Sequence, residues 1–166
     1  MRGDYGTTFW QGIYAGLIGY FTVVILFAVA DLLEGRPLLY VPALLGSTLY
    51  YGLRDPAQLV IWPGPIIAYN GTHLLVFLAL GMIAAWLASS AERGPQLWYL
   101  GLVALLIVLF HVLAVMFVIT RPVRAVMPMW MITGATLAAT IAVVAYLLVV
   151  HPRLRSTLGE GARTTR

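Results

Sequence analysis

Three ionisable side chains stand inside the long apolar stretches of this chain: Asp31, His73 and His111. Such groups are expensive to keep in an apolar medium and are candidates for chemistry by default. Two imidazoles could ligate a haem b iron or a copper ion, neutral histidine being the commonest nitrogen ligand. Met116, Met127, Met129 and Met131 could add thioethers to Cu(I). Alternatively, His73, His111 and Asp31 could relay protons or hold the head group of a quinone or another small lipophile. The plainest chemistry is a hydrogen bond from each histidine to Asn70, Tyr69 or a backbone carbonyl, fixing helix register. The residues favour this last reading, with no cofactor, because there is no H-x-x-x-H pair and no second carboxylate to sharpen a metal site. Asp31 likewise has a plain partner in Arg36, or in Arg121 or Arg124 across the chain.

Much other chemistry is excluded by residue type. All ten basic residues are Arg, so no lysine Schiff base or lysine nucleophile is available. Cysteine is absent, which removes disulfides, thiol catalysis and zinc–thiolate or iron–sulfur sites. No phosphate loop, nucleophile–base set or paired carboxylates occur, and no enzyme is expected.

The elements that must position these residues follow from composition. The 166 residues are 61% hydrophobic and 10% charged, with mean hydropathy +0.92. Soluble domains run near 45–50% apolar and about 25% charged, so lipid must be the solvent for most of these side chains. Four apolar runs, about 9–33, 66–88, 97–119 and 127–150, approach or exceed the roughly 20 helical residues a hydrocarbon core needs. They are continuously apolar without period-2 alternation, which predicts helices rather than barrel strands. The expected fold is an all-α polytopic membrane protein: one membrane domain, four transmembrane helices in an antiparallel bundle, and a basic tail over 151–166.

The first connection, 34–65, is too long for an idle turn. Its apolar stretch Val41–Leu53, the pair Asp55-Pro56 and the group Trp62, Pro63, Gly64 and Pro65 predict one or two short interfacial helices. A surface cap joining the first two spans is the alternative. Depth along the spans places His73 roughly 10 Å, His111 roughly 12 Å and Asp31 about 3 Å from the boundary on the side of that loop. Tyr69, Asn70 and Thr72 lie within a turn of His73, and Thr133 and Thr136 enter from the last span on the same side. A buried polar cluster of Asp31, Asn70, Tyr69 and Thr133 is therefore expected near the two histidines. Gly12, Gly16 and Gly19 on the first span, and Gly134, Ala138 and Ala142 beside Ala135 and Ala139 on the last, form small faces suited to close helix contact.

Arginines set the orientation. Arg2, Arg93, Arg153, Arg155, Arg163 and Arg166 fall on one side, against Arg36, Arg54, Arg121 and Arg124 on the other. The positive-inside rule then puts both termini in the cytoplasm. A pI near 9.7 with singly scattered arginines points to lipid headgroups and not to nucleic acid.

The segments Asp31-Leu32-Leu33-Glu34-Gly35-Arg36-Pro37 and Pro42-Ala43-Leu44-Leu45-Gly46, Tyr69 with His73, and His151-Pro152 resemble a group of small bacterial four-helix integral membrane proteins. The resemblance implies the four-helix architecture and a bacterial inner (cytoplasmic) membrane, and carries over no functional residue. The functional expectation is a non-enzymatic membrane protein acting by association. It would be an accessory or scaffold subunit of a respiratory or photosynthetic assembly, with other membrane subunits or further copies of itself as partners. The alternatives are a haem, copper or quinone site on His73 and His111, or a small transporter.

Overall fold

The computed structural model describes residues 3–92, 94, 102, 105, 109, 113, 124, 126, 127 and 129–152. Among them there are helices and turns and no strand. Helix α1 spans Gly3–Leu33, α2 Tyr40–Tyr51, α3 Pro63–Ala91 and α4 Met129–Val150, with a 3₁₀ turn at Pro56–Gln58. Gly6–Leu33, Pro63–Ala91 and Trp130–Val150 are each long and apolar enough to cross a membrane. The span expected over 97–119 falls outside the described residues except for Leu102, Leu105, Leu109 and Leu113, each of which has helical backbone.

Helix ends follow local chemistry. Helix α1 stops because Gly35 adopts a left-handed conformation (φ 67°), which a side chain would oppose. Its amide bonds to Leu32 O at 3.1 Å and that of Arg36 to Asp31 O at 2.8 Å, the paired bonds of a Schellman cap. Pro37 then prevents continuation. Helix α3 begins at Pro63, three residues before the apolar run suggests, because prolines are tolerated in a first turn whose amides have no intrahelical partner. His73 accordingly stands ten residues into α3, roughly 15 Å along its axis.

Two kinds of packing hold these elements. Along its first half α1 lies directly on α3, running the opposite way. Thr8 Oγ1 meets Ser89 Oγ at 3.1 Å, and further along α1 Tyr20 reaches Asn70. Between these contacts glycines bring the backbones together. A Cβ on Gly12 would sit 2.6 Å from Met82 Cα, and one on Gly16 2.6 Å from Phe77 O. From the other side, a Cβ on Gly81 would strike Gly16 N and Gly12 O. In lipid, where apolar burial between helices gains little, such close van der Waals contact is the main attraction.

The loop-side half is packed by side chains instead. Val23 and Phe27 of α1, Val41, Leu44 and Leu45 of α2, Tyr69 of α3, and Met127, Met131, Ile132, Ala135 and Ala139 form one core. The short helix expected in the first connection is therefore present, but as an interior element. Val41, Ala43, Leu44 and Leu45 are at most 2% exposed, and a Cβ on Gly46 would collide with the Pro65 carbonyl. That buried face belongs to the same core as α1, α3 and α4, while Leu49, Tyr50 and Tyr51 at the end of α2 are exposed. Asp55 does begin a turn, its Oδ1 accepting the Ala57 amide at 2.9 Å, with Pro56 at the first position as its sequence suggests.

Replacing Gly16 by Leu should destabilise the protein by about 1–3 kcal/mol or more, since the new side chain has only backbone to displace. Gly71→Ala, where a Cβ meets nothing within 4 Å, should be neutral or stabilising by up to about 1 kcal/mol. Reversible unfolding in mixed micelles measures both, and equal effects would show that the α1–α3 contact does not hold the fold.

Candidate functional site

The polar side chains near the first connection fall into two groups. The first is organised by Asp31, which is fully buried. Its Oδ2 accepts the Val41 amide at 3.1 Å while its own carbonyl accepts the Arg36 amide. Leu39, at the N-cap of α2, offers no side-chain cap, so Asp31 supplies from ten residues upstream the acceptor that the first turn of α2 lacks. The expected ion pair with Arg36 is not formed. Arg36 instead pairs with Glu34, donates to Val126 O at 2.9 Å and lies 5.0 Å from the centroid of the Tyr40 ring. The Arg36 guanidinium is taken up by these partners, while the Asp31 carboxyl is turned to the first turn of α2. Arg121 lies outside the described residues.

The second group lies on α3. Tyr69, His73 and Phe77 are spaced by four residues and so share one face. The His73 ring stacks on Tyr69 (centroids 5.1 Å apart, planes at 22°) and meets the edge of Phe77 at 4.9 Å. Asn70 is held at both ends: its Nδ2 donates to Ile66 O at 2.9 Å, and its Oδ1 accepts from Tyr20 Oη at 3.1 Å. Of the neighbours the sequence offers His73, Tyr69 meets it by ring stacking, while Asn70 is engaged by Tyr20 and Ile66. Tyr69 Oη and His73 Nε2 are buried without a partner.

Tyr20 was not among the residues the sequence singled out. It sits 6.0 Å from the His73 ring and is the one that engages Asn70. A phenol inside the first apolar run, at a depth matching Asn70 on an opposing helix, was the available signal. Thr72 turns away to accept from Tyr50 Oη at 2.7 Å, and Thr133 is exposed on α4. Thr136 donates to its own helix at Ile132 O. The polar cluster is therefore Tyr20, Tyr69, Asn70 and His73, with Asp31 in a separate arrangement nearby.

Beside the cluster lies a cavity of about 60 Å³, lined by Val23, Phe27, Leu38 and Pro42 together with Tyr69, Asn70 and His73. Sites for drug-sized ligands are roughly 300–1,000 Å³, and an apolar cavity that takes benzene is about 150 Å³. This space holds a few atoms and no ring system. Met127 and Met131 are core residues, and no group of three His, Cys, Asp or Glu suited to a metal occurs among the described residues. His111 and Met116 lie outside the described residues.

No protein-family model, no curated protein and no solved structure matches this chain.

At the opposite end, His151 Nδ1 lies 3.2 Å from Glu92 Oε2, joining the end of α4 to the end of α3. His151 is buried, and the arginines of the basic tail beyond Pro152 lie outside the described residues.

Asp31→Ala should lower stability by about 1 kcal/mol, the ordinary cost of losing an N-cap acceptor, and Asp31→Asn by less, because an amide oxygen still accepts. An Asn variant as damaged as the Ala variant would show that capping is not the role of Asp31. Tyr20→Phe should cost about 0.6 kcal/mol, typical of an interhelical hydrogen bond in lipid, measured by the same unfolding assay.

Proposed function

We propose that this chain is a non-enzymatic integral membrane protein of a bacterial inner membrane that acts by association. It serves as an accessory or scaffold subunit of a larger membrane assembly, with other membrane subunits or further copies of itself as partners. The observation that carries this reading is the outer face of α4. Trp130, Leu137 and Ile141 are exposed there on the same face as Gly134, where among the described residues a Cβ would meet nothing within 4 Å. The small face of α1 is closed by α3, whereas the notch at Gly134 is open to another helix. A respiratory or photosynthetic assembly is the setting that suits a small subunit of this kind.

A second reading, a ligand at His73, is favoured by the buried and unpartnered Nε2 of that residue. Stoichiometric copper in the purified protein would establish it in its copper form.

For association, gentle solubilisation followed by native mass spectrometry should give an assembly larger than the 18.2 kDa chain. Gly134→Leu should release the monomer without altering its unfolding. A monomer alone from native membranes, with nothing copurifying, would sink the proposal. Topology is read with single cysteines, since the chain has none of its own. With both termini cytoplasmic, Ala57→Cys labels with an impermeant thiol reagent in intact cells and Ser156→Cys does not; the reverse pattern inverts the orientation.

A further inference from the structure

The first connection ends in a stretch that is neither helix nor buried loop. Between the 3₁₀ turn and α3, residues 59–62 run extended, with φ/ψ of −64°/122° at Leu59 and −146°/160° at Trp62. Val60 is 69% exposed, Ile61 40% and Trp62 45%. Successive side chains of an extended chain point to opposite sides, so this stretch is apolar on both. Trp62 is nevertheless held in place. Its ring meets the Tyr51 ring edge-on, with centroids 5.2 Å apart, and lies over Gly64, where a Cβ would strike it. Tyr51, half exposed at the end of α2, belongs to the same patch.

Two requirements conflict in any uniform medium. A patch of large apolar side chains is unfavourable in water. Yet the amides of Val60, Ile61 and Trp62 have no partner among the described residues, and bare amides are not tolerated in hydrocarbon. The headgroup region satisfies both needs, because Trp and Tyr rings favour that level and its water and phosphate oxygens accept from amides. Charge agrees with this. Arg54 is exposed and has no partner among the described residues, while the carboxylate of Asp55 beside it accepts the Ala57 amide. A lipid phosphate is the acceptor that such a guanidinium lacks.

Length agrees as well. Trp86, 60% exposed toward the other end of α3, stands 24 residues beyond Trp62, roughly 36 Å along the helix axis. That separation exceeds the roughly 30 Å hydrocarbon core and falls short of the roughly 40–45 Å that includes both headgroup layers. Both rings therefore reach headgroup level at once. A partner strand fits less well: alternate amides face opposite edges and Pro63 has none, so one strand reaches at most two of the three.

We infer that residues 59–62, with Tyr51, are seated in the headgroup region of the bilayer, and that Arg54 binds the phosphate of a phospholipid there. The inference is independent of association, since this surface lies between the end of α2 and the start of α3 and not on the outer face of α4.

The absence of cysteine allows single labels. Val60→Cys and, as a reference in the adjoining turn, Ala57→Cys carry a nitroxide on the full chain in nanodiscs of phosphatidylglycerol and phosphatidylcholine. Power saturation should show residue 60 several-fold less accessible than residue 57 to a water-soluble nickel chelate, and more accessible to oxygen. Equal access to the chelate at both positions overturns the seat in lipid. Access in nanodiscs that disappears in native membranes overturns it too, and identifies a protein as what covers the stretch. A second measurement needs no label. Phospholipids brominated close to the glycerol should quench the unmodified protein more than they quench Trp62→Phe, and lipids brominated near the bilayer centre should not distinguish the two. A difference only with the deep bromines, or none, overturns the seat. Arg54→Gln should weaken retention of phosphatidylglycerol by the detergent-solubilised chain about fivefold in native mass spectrometry, the effect of one arginine at an anionic surface. Unchanged retention overturns the phosphate contact.

Discussion

The arrangement depends on what one carboxyl does at the end of α1. Asp31 closes its own helix through its backbone carbonyl and opens the next through its side chain, accepting the Arg36 and Val41 amides respectively. A chain leaving a membrane-spanning helix has amides and carbonyls that lipid cannot satisfy. Here a single buried residue answers part of that need at both helix ends. It thereby fixes the angle at which α2 turns back into the interior. Val41, Leu44 and Leu45 reach the core, and Gly46 reaches the Pro65 carbonyl, only because α2 starts where Asp31 holds it.

The two halves of the molecule are built on different physics. Far from the first connection, glycines let α1 and α3 touch backbone to backbone, and little space remains between them for anything else. Near the connection, bulky side chains from all four helices interlock, and the mismatch in their shapes leaves the small cavity beside Tyr69 and His73. Polar groups follow the same division. The far end is joined by discrete pairs, Thr8 with Ser89 and His151 with Glu92, while the near end holds the aromatic and amide cluster.

Much of this was legible in the sequence because lipid imposes a simple rule on length and composition. The end of α1 at Leu33, the short helix after it and the turn at Asp55-Pro56 were all readable from local residue types. What escaped was relational. Asp31 and Arg36 invite an ion pair by charge, yet the Arg36 guanidinium is taken up by Glu34 and Val126 while the Asp31 carboxyl is turned to the first turn of α2. Tyr20 drew no notice because its role depends on meeting Asn70 from another helix. Thr133 was placed at the right depth, but rotation about the α4 axis, which depth does not reveal, leaves it exposed.

The Arg36 guanidinium reaches Val126, whereas every partner in the Asp31 turn lies within ten residues of it. The two therefore become available at different moments of synthesis. The hairpin of α1 and α2 has all its capping atoms as soon as residue 41 has been added, and it can form while the ribosome is still making α3. The clasp on Val126 must wait until most of the chain has been inserted. The corner at Asp31 is thus a local feature of the chain, and the fastening of Arg36 to Val126 a long-range one.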